Sequence, residues 1–328
     1  MSTVFFETTG EQHLRLVGGV SALERRIREV AKQGVTRVVV AAREVELVRP
    51  APIEVEFVAP GTAAPEGARV ERADVVAGIE LVDDEATSAA EWKVIRTMNK
   101  SFEGVVDALI NWRFSMRITR WLSHRSLAVT PNHVTICAIV LGTIGGLLVM
   151  NGHYWGLAVG GVLIQVNNIL DSVDGELARL RFQYSKIGQW LDNLSDDIVD
   201  NLFIAACGVV IGGPWMWLGI GAAAGRVFTS VVTYLDVYAR TGTGDVFAFR
   251  YWFESDKQTA DEVYDPKQIS TWLRSLGRRD TFTFFWMIAC LANFPYFVVA
   301  HGLIISSSTV GLLILHFTVF RKRRIVER

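Results

Sequence analysis

The sequence predicts an all-α polytopic membrane protein with a small N-terminal α/β soluble domain. Three observations predict it. Apolar residues make up 50% of the 328-residue chain, and their excess lies after Thr130. Six runs in that half approach the roughly 20 apolar residues that cross about 30 Å of hydrocarbon. Residues 1–95, by contrast, read as soluble protein. The net charge of −1 gives no case for nucleic-acid binding. Cys137, Cys207 and Cys290 stand alone in apolar runs, which suits small core residues better than a metal or disulfide set.

The soluble part comes first. The opening MSTVFFETTGEQH lacks a basic start and an apolar core, so no secretory signal is expected. In residues 14–42, Leu23, Ile27 and Val30 are spaced for the inner face of one helix. Val35–Ala42 then reads as a buried strand, and IEVEFVAP at 53–60 alternates as a second. Residues 96–130 are a linker and an amphipathic helix. Ile110, Phe114, Ile118 and Trp121 make an apolar stripe, with Arg113, Arg117 and Arg120 beside it. Such a helix suits the cytoplasmic membrane interface.

The membrane domain is expected over 131–328. Its six spans are read at about 132–151, 154 to past Leu170, 188–212, 214–238, 281–300 and 302–320. The turns near Gly152, Gly213 and His301 carry no Lys or Arg, whereas Arg179–Lys186, 239–280 and Arg321-Lys322-Arg323-Arg324 are basic or mixed. The positive-inside rule then puts both termini and the charged loops in the cytoplasm, at the inner membrane if the cell is bacterial.

Ionisable groups at membrane depth are costly and usually face a cavity. Here they cluster in ILDSVDGELARLRFQYSKIGQWLDNLSDDIVDN. Asp171 and Asp174 share one helix face, and Asp192 and Asp196 share a face of the next. Four converging carboxylates repel, and one or two divalent metals relieve that. All-oxygen ligands favour Mg²⁺ or Mn²⁺. Gly175 and Ala178 leave room for a ligand, and Arg179 offers a fork suited to phosphate oxygens. Asp197 and Asp200 are read as solvated helix-end carboxylates.

Together these residues spell D-x-x-D-G-x-x-A-R, eight residues, then G-x-x-x-D-x-x-x-D: Asp171, Asp174-Gly175, Ala178-Arg179, Gly188, Asp192, Asp196. This resembles the CDP-alcohol phosphotransferase family of integral membrane enzymes, over roughly residues 95–328. The resemblance implies transfer of a substituted phosphate from a CDP-alcohol to a hydroxyl acceptor, with release of CMP. It implies Asp171, Asp174 and Asp192 as metal ligands. Asp196 would complete the shell and act as general base. Gly175, Ala178 and Arg179 would line the CDP pocket. Two metal ions, no organic cofactor and a homodimer are expected.

Thr130-Pro131-Asn132 resembles a frequent family start, so Asn132 either borders the nucleotide or serves as a helix cap. Lys186 either meets an acceptor phosphate or is a solvated interfacial lysine. Arg226, well inside the fourth span, either holds an acceptor phosphate or pairs an aspartate. The runs INWRFSMRITRWLSHRSLAVTPNHVT and Leu276-Gly277-Arg278-Arg279-Asp280 resemble inositol-phosphate-using members, including synthases of di-myo-inositol phosphate phosphate. A polyol phosphate such as inositol phosphate is therefore the expected acceptor. A phospholipid synthase using CDP-diacylglycerol is the alternative within the class. A non-catalytic transporter or binding protein is the alternative outside it.

In those members a nucleotidyltransferase domain precedes the membrane domain. Residues 1–95 look like a reduced form of it. Residues 1–13 hold no Gly-rich phosphate loop, only Gly10, so no cytidylyl activity is expected.

Overall fold

The computed structural model describes residues 3–8, 10–98, 104–125, 128–242, 249, 251 and 277–320. Most of the long insert after Arg240 and the basic tail 321–324 lie outside the described residues, as does Leu276. The chain forms two compact units. The first comprises Met1–Asn99, Ile118–Val129 and Glu176–Gln183; the second comprises Lys100–Arg117, Thr130–Gly175 and Tyr184–Arg328.

The first unit is built on four parallel strands. These are β1 (Thr3–Glu7), β4 (Arg37–Ala41), β5 (Glu54–Val58) and β6 (Arg69–Arg72), in the order β5-β4-β1-β6. Between β1 and β4 come the short β2 (Leu16–Val17) and β3 (Val20–Ser21), then α1 (Ala22–Lys32). Ser21 caps α1 by accepting the Glu24 N–H at 3.2 Å. The helix buries Leu23, Ile27 and Val30 against Val4, Phe6, Val38 and Val40, the face its spacing predicts. The expected strands appear as β4 and β5. β1 and β6 were not expected, although Val4, Phe5 and Phe6 are good strand formers. A small ladder, β7 (Val75–Val76) with β8 (Ile79–Glu80), leads to α2 (Asp84–Arg96).

A π-turn, Asp107–Asn111, opens α3 (Trp112–Ser123). This helix buries small polar groups, Ser115, Thr119 and Ser123, and leaves Phe114 and Trp121 more than half exposed. Arg120, expected in the basic stripe, is an ion-pair partner of Glu91 at 2.8 Å and stacks over Trp92.

The second unit is helical: α4 (Pro131–Val149), α5 (Tyr154–Leu180), α6 (Lys186–Ile211), α7 (Gly213–Thr241), α8 (Arg279–Leu291) and α9 (Tyr296–Leu315). α5 continues beyond Gly175 into the first unit. Close packing rests on glycine. A Cβ on Gly208 of α6 would lie 2.9 Å from the Trp215 carbonyl and 3.0 Å from Gly219 Cα of α7. The core joins Phe203, Ile204 and Cys207 of α6, Ala222 of α7, Phe282, Trp286 and Cys290 of α8, and Val298 of α9.

Among the described residues, four helices are long and apolar enough to cross a membrane: Pro131–Val149, Tyr154–Leu180, Gly213–Thr241 and Tyr296–Thr318. The expected third and fifth spans are not among them. α6 is long, but Asp196, Asp197 and Asp200 crowd its apolar stretch. α8 has 13 residues, about 20 Å at 1.5 Å per residue. The expected fifth span, 281–300, breaks at Asn293, whose φ is 55°, and Pro295 caps α9. His301 is therefore no turn. It lies inside α9, where Trp286 Nε1 donates to its Nδ1 at 3.2 Å.

Candidate active site

α5 and α6 carry the acidic residues, as their spacing requires. Ligand oxygens of Asp171, Asp174 and Asp192 all lie within 4.8 Å of one another. Asp174 is buried and accepts the Thr135 hydroxyl from α4. The start of the first span thus reaches the acidic cluster. Gly188 sits in the first turn of α6, and its N–H donates to Ser185 Oγ at 2.8 Å. A Cβ there would lie 2.9 Å from Asn132 Oδ1. A side chain at this motif glycine would also press on the Ser185 hydroxyl, at 2.8 Å, so both side chains would have to shift.

Asp196 is placed one turn along α6 from Asp192. Arg279 Nη1 lies 2.6 Å from its Oδ1 and 3.5 Å from Asp171 Oδ2. Arg279 Nε donates to Asp200 Oδ1 at 3.3 Å, and Nη2 donates to Asn167 Oδ1 at 2.6 Å. Arg279, the first residue of α8, therefore ties α8 to both acidic helices. The run Leu276–Asp280 had pointed to this stretch, but only by resemblance and without assigning Arg279 a role.

Arg226 from α7 pairs a carboxylate, one of its two expected roles. The carboxylate is Asp200, with Nη2 to Oδ2 at 3.2 Å. Its Nε donates to Asn201 Oδ1 at 3.1 Å, and its guanidinium lies 5.6 Å from the Phe282 ring centre. Asp200 is therefore no solvated helix end. Its side chain is 1% exposed and divides its two oxygens between two arginines. Asp197 is not free either: it accepts from Ser230 at 2.9 Å and from Tyr234 at 2.7 Å. Sequence spacing gave no sign of either partnership, because the donors lie on helices distant in the chain.

Gly175 follows Asp174 on α5. Ala178 and Arg179 are in the last turn of that helix, where Arg179 Nε donates to the Met98 carbonyl. Lys186 opens α6, but its side chain lies outside the described residues.

The donor set is all oxygen. Among the described residues, Asp171, Asp174, Asp192, Asp196 and Asp200 share two guanidinium groups: Arg279 lies against Asp171, Asp196 and Asp200, and Arg226 against Asp200. Convergent carboxylates with all-oxygen donors fit a hard divalent cation. Asp171, Asp174 and Asp192 would hold it.

The sequence model of the family described as CDP-alcohol phosphatidyltransferase matches residues 128–320. A bifunctional IPC transferase and DIPP synthase of Aquifex aeolicus is 31% identical over 153 residues, 45% of this chain and 34% of that protein. Its counterpart in Thermococcus kodakarensis is 32% identical over 171 residues, 51% of this chain and 38% of that protein. An archaetidylinositol phosphate synthase of Pyrococcus horikoshii is 32% identical over 96 residues, 28% of this chain and 46% of that protein. The matches to the two bifunctional relatives span only about a third of those proteins' length.

Proposed function

Because the chain belongs to the CDP-alcohol phosphatidyltransferase family, we propose that it moves a substituted phosphate from a CDP-alcohol to a hydroxyl acceptor. The acceptor oxygen forms a bond to the alcohol-bearing phosphorus. The bond from that phosphorus to the bridging oxygen breaks, and CMP leaves with the electron pair. The convergence of Asp171, Asp174 and Asp192 carries this reading.

Asp171, Asp174 and Asp192, with Asp196 closing the shell, would hold divalent ions, which would supply Lewis-acid polarisation of the pyrophosphate and charge neutralisation for the leaving CMP. Asp196 takes the acceptor's proton, one helical turn from Asp192. Arg279 keeps Asp196 turned toward the cluster and limits the repulsion among the carboxylates. Gly175, Ala178, Arg179 and Asn132 take the CDP moiety. Lys186 takes the acceptor's phosphate. Arg226 acts at one remove, by fixing Asp200.

An inositol phosphate is the acceptor this reading favours. The names of the Aquifex, Thermococcus and Pyrococcus relatives support it. α6 and α8 are read as crossing the bilayer with the four more apolar helices, since both contribute to the same apolar core. α3 is read as lying in the interface through Phe114 and Trp121. Both termini and the acidic cluster then face the cytoplasm, and the enzyme works as a homodimer.

Product analysis tests the reading. Purified protein with Mg²⁺ receives inositol phosphate and either CDP-inositol or CDP-diacylglycerol. Phosphorus NMR should show a new phosphodiester growing with CMP. CMP without a phosphodiester would mean hydrolysis. No CMP from either donor would count against both. Asp196→Asn should lose turnover while keeping CMP affinity.

A further inference from the structure

The first unit contains more than the α/β fold. It also holds Glu176–Gln183, the end of α5 that carries Ala178 and Arg179. We propose that the N-terminal α/β fold is a seat for this helix end, and that Arg25 is the positioning residue that keeps Ala178 and Arg179 in register for the nucleotide. The proposal rests on the CDP-alcohol reading above and gives residues 1–95 a role in it.

Helix C-termini leave carbonyls without intrahelical donors and carry partial negative charge. Water or a glycine cap usually satisfies them. Here a buried cation does. Arg25 of α1 is 6% exposed and donates through Nη2 to the Leu180 carbonyl at 2.7 Å. Its other bonds fix it in place: Nε to Val17 O at 2.6 Å, and Nη2 to Gly18 O at 3.4 Å. Burial lowers its pKa to about 10, with Glu91 and Glu24 opposing, so it stays charged at neutral pH.

The β2–β3 turn is shaped to the same helix end. Gly18 and Gly19 have φ of +61° and +76°, the conformation a two-residue hairpin turn requires. A Cβ on Gly18 would lie 2.6 Å from Leu180 Cδ1, and one on Gly19 would lie 2.8 Å from the Ser123 carbonyl. The turn must therefore be bare to admit Leu180. Phe182 lies under the guanidinium groups of Arg25 and Arg28, at 5.5 and 4.9 Å. Arg181 is fully buried and donates to the carbonyls of Val129 and Leu122 at 2.7 and 2.8 Å. Thr119 donates to Glu176 at 2.6 Å. Glu176, Arg179, Leu180, Arg181 and Phe182 are thus each held.

Topology points the same way. In parallel α/β sheets, phosphates bind at the connection from the first strand to the first helix. Here that connection carries the β2–β3 hairpin, and Leu180 occupies it. The position that would cradle a phosphate in an active nucleotidyltransferase is used to receive a helix.

Hydrogen exchange and CMP binding with Mg²⁺, measured on the full chain in detergent, test the seat. Arg25→Gln should speed amide exchange at residues 177–183 and weaken CMP binding, each by about tenfold, as expected for a lost charge-assisted bond. Arg25→Lys should recover part of both. Gly18→Ala, which presses on Leu180, should reproduce the effect if Arg25→Gln fails to fold. Ile27→Val loosens the same fold away from the helix end and should change neither. Unchanged exchange at 177–183, or an equal change in Ile27→Val, would overturn the seat. Faster exchange with unchanged CMP affinity would overturn its link to the nucleotide. Wild-type protein without CMP affinity would overturn the functional reading instead, and exchange would still decide the seat.

Discussion

Replacing Arg279 by glutamine should destabilise the helical unit by about 3 kcal/mol. Arg279 is 15% exposed at the side chain; it forms ion pairs with Asp171, Asp196 and Asp200 and donates to Asn167, four groups on two helices. Removing one partner of a buried pair costs about 3–5 kcal/mol, because the other charge stays behind unpaired. Asp171 and Asp196 are 25% and 31% exposed, so solvent relieves part of their loss. Asp200, at 1%, has no such relief and, among the described residues, keeps Arg226 as its cation. The expected cost is therefore at the low end, about 3 kcal/mol. Equilibrium unfolding in mixed micelles without divalent ions measures it. Arg279→Gln with Asp200→Asn should cost less than the two single changes summed, since the orphaned charge is gone. A loss below about 1 kcal/mol, the range of exposed ion pairs, would refute the network.

Three more outcomes can be checked. Asp192→Asn should weaken Mn²⁺ binding, read by electron paramagnetic resonance, by roughly tenfold or more, since losing even an outer partner costs 10–100-fold. Gly208→Val should destabilise the α6–α7 contact by about 1–3 kcal/mol or prevent folding, because its Cβ meets backbone of the neighbouring turn and helix. His13 is 6% exposed, and burial lowers its pKa below the ordinary 6.5. It is neutral in both states above that value. As pH falls below about 6.5 the unfolded chain takes the proton first, so this contribution to stability is lost toward acid. Thermal unfolding from pH 7.5 to 5 should show it, and His13→Gln should flatten the slope.

The motif was legible because its residues are local. Three- and four-residue spacing on two consecutive helices puts Asp171, Asp174 and Asp192 on facing sides, and the structure brings them together. The bond from Thr135 to Asp174 was not legible, because the two residues lie on different helices. The arginine partners were hidden. Arg279 lies 83 residues beyond Asp196, and its role depends on where α8 starts. Asp200 continues the four-residue spacing of Asp192 and Asp196, so nothing local distinguished a buried hub from a frayed helix end. The break at Asn293 was missed because apolar composition continues through it; only φ and Pro295 interrupt the helix. In the soluble unit, α1, β4 and β5 were readable from periodicity. β1 and β6 lie 61 or more residues apart in sequence, and their pairing is set by the sheet. Arg25 sits among the charges of ALERRIREVAK, where sequence alone suggests a solvated helix face.

The most direct test is CMP release by purified wild-type protein from CDP-inositol or CDP-diacylglycerol, with inositol phosphate and Mg²⁺. Release from one donor is expected, abolished by EDTA and by Asp192→Asn, and dependent on the acceptor. CMP release that persists in EDTA would contradict a reaction centred on Asp171, Asp174 and Asp192. So would equal release by Asp192→Asn.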